Sequence, residues 1–72
     1  MAIHFKNIGV RIKEIRKKNQ LTQARLAESV DLSSSYISRI ETGSKKASLG
    51  PLIRIAEEFK VSLDYLVFGG EL

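Results

Sequence analysis

The sequence predicts an all-α fold: one compact domain of five short helices. Three observations carry that expectation. Apolar residues recur at three- and four-residue intervals. Ser or Thr stands, at intervals along the chain, where a helix would have to begin. No stretch holds the bounded two-residue alternation that a half-buried strand needs.

Each element has its own signature. The first helix is expected over about residues 7–18, with Ile8, Ile12 and Ile15 on one stripe and Asn7 as a plausible cap. Gly9 falls in its first turn at some cost in propensity, and Asn19-Gln20 ends it. The second is expected over about 22–29, the third over 33–41, the fourth over 49–59 and the fifth over 62–67. Thr22, Ser33, Ser48 and Ser62 are their caps. A hydroxyl there accepts a free backbone N–H of the first turn, worth about 1 kcal/mol. Apolar pairs bracket each cap: Leu21/Leu26, Leu32/Ile37, Ala47/Leu52 and Val61/Leu66. That hydrophobic staple fixes the direction from which the chain joins the helix. Gly43 closes the third helix. Gly50 and Pro51 fall in the first turn of the fourth, where a missing N–H does little harm. Leu52, Ile55, Ala56 and Phe59 form its inner stripe, and Leu63 and Leu66 dock the fifth.

The chain has 72 residues, enough for one domain spanning 1–72. It contains no cysteine, and its single histidine, His4, cannot build a zinc site. No cofactor is expected, and no small-molecule ligand is evident. No nucleophile–base set, glycine-rich phosphate loop or metal-spaced cluster suggests an enzyme. Nothing approaches the roughly 20 apolar residues of a membrane span, and the first residues lack a signal peptide's apolar core. The expected compartment is therefore the cytoplasm. Beginning at Met1 and ending in "GGEL", the chain reads as self-contained.

The net charge of +4 is unevenly spread. Residues 1–46 hold ten Lys or Arg against four acids, a balance of +6; residues 47–72 hold two against four, a balance of −2. A basic front with an acidic back suggests one face turned to a polyanion. The turn between the second and third helices, residues 30–32, is too short for antiparallel packing. The two helices must cross steeply, as a helix-turn-helix. Asp31 holds the turn position that often needs a left-handed backbone, which Asp tolerates better than most residues.

With "LTQARLAESVDLSSSYISRIETG" at 21–43, the chain resembles the phage-repressor-like helix-turn-helix regulators of bacteria, the xenobiotic-response-element type. "RIKEIRKKNQLTQ" and "SLGPLIRIAEEFKVSLDYLVFG" are similar to that family's first helix and its fourth and fifth. The resemblance covers nearly the whole chain. It departs at Gln20 and Asp31, where the family often has glycine. It implies a lambda-repressor-like fold, double-stranded DNA as partner, and a transcriptional regulator, with repression the expected sign.

On a helix over 33–41, Ile37 and Ile40 face inward while Ser34, Ser35, Ser38 and Arg39 face out. Small hydroxyl side chains let such a helix approach closely within a major groove about 12 Å wide, and Arg39 can take guanine O6 and N7 bidentately. The resemblance places base-reading residues at these positions. Gln23, Ser33, Tyr36, Lys45, Lys46 and Lys17 are the expected phosphate contacts, with Ser33 mainly a cap and Tyr36 mainly a packing residue. The resemblance also implies a structural ion pair between Arg16 and Glu41. Tyr65, Val67 and Phe68 are apolar beyond what docking requires, which suggests a homodimer interface. Ile3 and Phe5 are expected to cover one end of the core. The rival function is an antitoxin, or protein-interaction module, of a toxin–antitoxin pair.

Overall fold

The computed structural model describes residues 2–70, and among them every regular element is a helix. In chain order these are α1 (Phe5–Lys18), α2 (Gln23–Ser29), α3 (Ser34–Thr42), α4 (Leu49–Phe59) and α5 (Leu63–Phe68). Among the described residues no helix is long and apolar enough to cross a membrane. Glu71, counted in the acidic back, lies outside the described residues together with Met1 and Leu72.

Three expected caps form. The hydroxyls of Thr22, Ser33 and Ser62 accept from the backbone N–H groups of Arg25, Tyr36 and Tyr65 at 3.1, 3.0 and 3.0 Å. Two do not. Asn7 lies inside α1, which starts at Phe5 behind His4, and His4 makes no side-chain cap bond. Tertiary packing outweighs the cap preference there: Phe5 rests half-buried on the core, so the helix runs two residues further back. Ser48 occupies its N-cap position, but its hydroxyl takes no first-turn N–H. Its own backbone N–H instead donates to the phenol of Tyr36 at 3.2 Å, tying the start of α4 to α3.

Three joints share one construction. Gln20, Asp31 and Lys60 adopt left-handed φ values of 57°, 58° and 56°. The next residue donates back to a carbonyl five residues earlier: Leu21 to Arg16 at 3.1 Å, Leu32 to Ala27 at 2.8 Å and Val61 to Ala56 at 3.0 Å. This satisfies carbonyls that the helix end leaves free. Leu21, Leu32 and Val61 are also the apolar residues that precede the next caps. One residue thus closes a helix and staples its successor.

Ile8, Ile12, Leu26, Ile37, Ile40, Ile55 and Leu66 are fully buried at the centre. Phe59 and Leu63, expected inside, are half-buried at the margin. Ile3 does not cover the core as expected; at 52% exposure it stands in the open. A segment only two residues ahead of the first helix has too little backbone restraint to press an isoleucine inward.

α1 packs chiefly on α3 and α5, and α2 on α3. The α1–α3 approach depends on Gly9. A Cβ there would collide with the carbonyl oxygen of Ile40 and lie 2.6 Å from that of Glu41. The other α1 attachment had no counterpart in the sequence reading. Arg11 donates from Nε to the Leu66 carbonyl at 2.8 Å and from Nη2 to the Val67 carbonyl at 2.6 Å. It thereby fills the free carbonyls at the end of α5 and places a cation at the negative end of its dipole. A six-residue helix has no independent stability, so such clamps matter. Arg11→Met keeps the apolar stem and removes both bonds. It is expected to cost about 2 kcal/mol in urea unfolding, the net worth of charge-assisted bonds to half-buried carbonyls. A loss of a few tenths would show that water replaces the guanidinium there.

Candidate nucleic-acid interface

The third helix is held from behind. Ile37 and Ile40 are 0% and 1% exposed. At 100° per residue, Ser35, Ser38, Arg39 and Thr42 fall on the outward arc, with Ser34 at its edge next to Glu41. Ser34, Ser35, Arg39 and Thr42 are exposed, and Ser38 is partly so. The four residues expected to read bases therefore share one face. Thr42 was missed because the helix was expected to end at Glu41. Its spacing of three and four residues from Arg39 and Ser38 could have revealed it.

The loop after α3 is ordered by one carbonyl. The Arg39 oxygen accepts from Lys45 N–H at 3.2 Å, from the Thr42 hydroxyl at 3.2 Å and from the Ser44 hydroxyl at 3.3 Å. Gly43 turns the chain with φ 79°. Lys45 and Lys46 project from this short loop, both exposed. Their ammonium groups lie 5.9 Å from the Tyr36 ring centre and 5.8 Å from that of Phe5. Such contacts favour particular orientations of a lysine without neutralising it. Tyr36 itself is half-buried against the core.

Glu41, on the inner edge of α3, meets Arg16 in the ion pair that the resemblance implied. Nε to Oε2 is 2.7 Å and Nη2 to Oε1 is 3.1 Å, with side-chain exposures of 9% and 1%. Arg16 spends a third donor on the Leu21 carbonyl, at 2.7 Å. Gln23 completes the group, its Nε2 donating to Glu41 Oε1 at 2.9 Å. Its amide nitrogen is thus engaged within the protein, leaving its amide oxygen and the backbone N–H groups of Gln23 and Ala24 for an outside ligand. The cluster joins the end of α1, the start of α2 and the end of α3.

Lys17 is exposed in the last turn of α1. Ser33 is exposed, and its cap bond leaves the hydroxyl proton available. Of the three residues expected at a homodimer interface, Phe68 is 48% exposed, while Tyr65 and Val67 are half-buried. No three acidic or histidine residues among those described could hold a metal ion together.

Comparison with known proteins gives a single direction. The helix-turn-helix family model matches residues 12–66. The immunity repressor protein of Bacillus phage phi105 is 40% identical over 60 residues, 83% of this chain and 42% of the repressor. The transcriptional regulator PrpR of Mycobacterium tuberculosis is 33% identical over 57 residues, 79% of this chain and 12% of PrpR. The chain thus spans less than half the length of either relative. Among solved structures, the P22 c2 repressor bound to a synthetic operator superposes with a TM-score of 0.83 at 32% identity, covering 88% of this chain and 96% of that one. The DNA-binding domain of SinR from Bacillus subtilis gives 0.80 at 33%, covering 88% and 91%. With its five helices, its buried cluster and this match over most of its length, the chain belongs to the helix-turn-helix family of phage-repressor type.

Proposed function

We propose that this chain is a sequence-specific regulator of transcription that binds double-stranded DNA as a homodimer. The expected target is a near-palindromic operator, with repression by occupancy as the mode of action. The observation that carries this reading is the outer arc of α3. Ser35, Ser38, Thr42 and Arg39 lie away from a fully buried aliphatic side, with exposed Ser34 at the edge of the same arc. The P22 c2 repressor, a structural relative, is seen on an operator, and SinR on DNA. The reading assigns a single domain, no catalytic step and no cofactor, and a place of work in the cytoplasm.

Ser34, Ser35, Ser38 and Arg39 would meet base edges in the major groove. Ser33, Tyr36, Lys45, Lys46, Lys17 and the first turn of α2 at Gln23 would meet phosphates. The phosphate contacts should make binding fall steeply with salt, with log K changing by about −0.9 per phosphate neutralised. A two-fold dimer would set its recognition helices about 34 Å apart, one turn of DNA.

Selection of binding sites from a random duplex pool tests the reading directly, by sequence and by half-site symmetry. On the selected site, Arg39→Ala is expected to lose about 1–3 kcal/mol and to relax preference at one base pair. Lys46→Ala is the matched control and should weaken selected and random DNA alike. If Arg39→Ala bound both as the parent does, the outer arc of α3 would not be the reading surface.

A further inference from the structure

The buried ion pair ends on a residue at the surface. Glu41, with its side chain 1% exposed, accepts from Arg16 through both carboxylate oxygens. Its Oε1 also accepts from Gln23 Nε2 at 2.9 Å, and Gln23 is only partly buried. Each nitrogen of Arg16 has a protein acceptor and the residue is 7% exposed, which keeps it from meeting a phosphate itself. We propose that Arg16 and Glu41 are positioning residues for DNA binding: through Glu41 they hold the Gln23 amide and the first turn of α2 in the arrangement that takes a phosphate. This deepens the regulator reading above and rests on it.

The proton inventory gives the direction. A primary amide carries two N–H donors and one acceptor oxygen, whereas a carboxylate only accepts. Glu41 therefore admits the nitrogen end of Gln23 and repels the oxygen end. One amide proton is held by Oε1, and among the described residues the other has no protein acceptor. It stands in the same helix turn as the backbone N–H groups of Gln23 and Ala24, which are also free. A phosphate oxygen is an acceptor, so it needs the donors of this turn and would be repelled by an amide turned the other way.

The second support is placement. Arg16 Nη1 holds the Leu21 carbonyl at 2.7 Å, directly before the Thr22 cap, so the pair ties the start of α2 to the end of α3. Phosphate contacts fix the register in which base-reading side chains meet the duplex. The span between the α2 donors and the α3 arc is thus set at Glu41. The third support is energetic. A buried ion pair is often no more stabilising than well-packed apolar residues of similar volume. Stability alone does not explain an ionic corner here, and a surface donor held by the same oxygen does. A side chain ordered beforehand loses less freedom on association.

The test separates position from stability. Arg16→Met/Glu41→Leu replaces both charges by apolar residues and should regain most of the parent's urea midpoint. It removes one cation and one anion, so the net charge stays at +4 and the salt dependence of binding should not change. Binding is measured on a duplex half-site taken from the selected pool. Gln23→Ala should weaken the parent by about 10-fold, on the order of one hydrogen bond to a charged group. The double variant should bind about 5-fold more weakly than the parent, the order of one side chain's ordering. Adding Gln23→Ala to it should then cost only about 2-fold. The parent gives a second readout, which decides the matter if the double variant does not regain the midpoint. In NMR, added duplex should shift the free Gln23 amide proton and leave the one held by Glu41. Parent-like binding by the double variant, an equal Gln23→Ala loss in both backgrounds, or a free amide proton that does not move would leave the pair purely structural and overturn the inference. So would a silent Gln23→Ala, with the α3 reading surface left standing. A parent that binds no duplex would instead remove the regulator reading, and the inference with it.

Discussion

Gly9→Ala is expected to destabilise the protein by about 3 kcal/mol, although alanine is the better helix former. Helix propensity alone favours the substitution by about 1 kcal/mol. Against that stands a methyl group aimed at backbone, with the Ile40 carbonyl in collision and the Glu41 oxygen 2.6 Å away. Side chains can rotate aside, but a helix backbone cannot. α1 and α3 must therefore separate, opening the core on both sides, and overpacking of this kind costs up to about 3 kcal/mol or more. A 72-residue domain has only about 4–10 kcal/mol to lose. Gly50 is the matched control, with nothing within 4 Å of its virtual Cβ. Gly50→Ala should be neutral or gain up to about 1 kcal/mol. Urea unfolding of the pair decides the matter: equal midpoints would mean that the two helices do not approach this closely.

The second large effect is expected at Glu41. Glu41→Ala strands the guanidinium of Arg16, a residue only 7% exposed, and removes the acceptor of Gln23. Breaking a buried pair from one side costs about 3–5 kcal/mol, and the lower end applies here because Arg16 keeps its bond to the Leu21 carbonyl. At about 4–8 °C per kcal/mol for a domain of this size, the thermal midpoint should fall by more than about 12 °C. The pair's own net worth is smaller than that loss. Replacing both partners by apolar residues, Arg16→Met with Glu41→Leu, should recover most of it. A fall of only one or two degrees for Glu41→Ala would mean that water reaches the guanidinium.

These two residues show how unevenly the fold could be read in advance. The resemblance led directly to Arg16 and Glu41. Gly9 registered only as a propensity cost, because its function lies in an approach by α3 that no local pattern encodes. Arg11 was opaque for the same reason: its partners are backbone carbonyls 55 and 56 residues away, and a carbonyl carries no sequence signal. The joints, by contrast, were partly legible. "QLT", "DLS" and "KVS" repeat one order of left-handed residue, apolar residue and hydroxyl cap, yet Lys60 drew no notice because lysine is an unusual choice for φ 56°. On α3 the alternation of inward isoleucines with outward serines sufficed to orient the helix, because 3.6-residue geometry leaves no other arrangement.

The doubled duty of Leu21, Leu32 and Val61 limits how this chain can change length. Each connection is held at both ends by the same apolar side chain, so there is no slack in which an extra residue could be lost. An insertion at any of these joints would part the closing bond from the staple and re-aim everything downstream, α3 among it. The stretch at 44–46, exposed and tied back mainly through the Arg39 carbonyl, is where added residues could be carried without disturbing the angle at which α3 is presented.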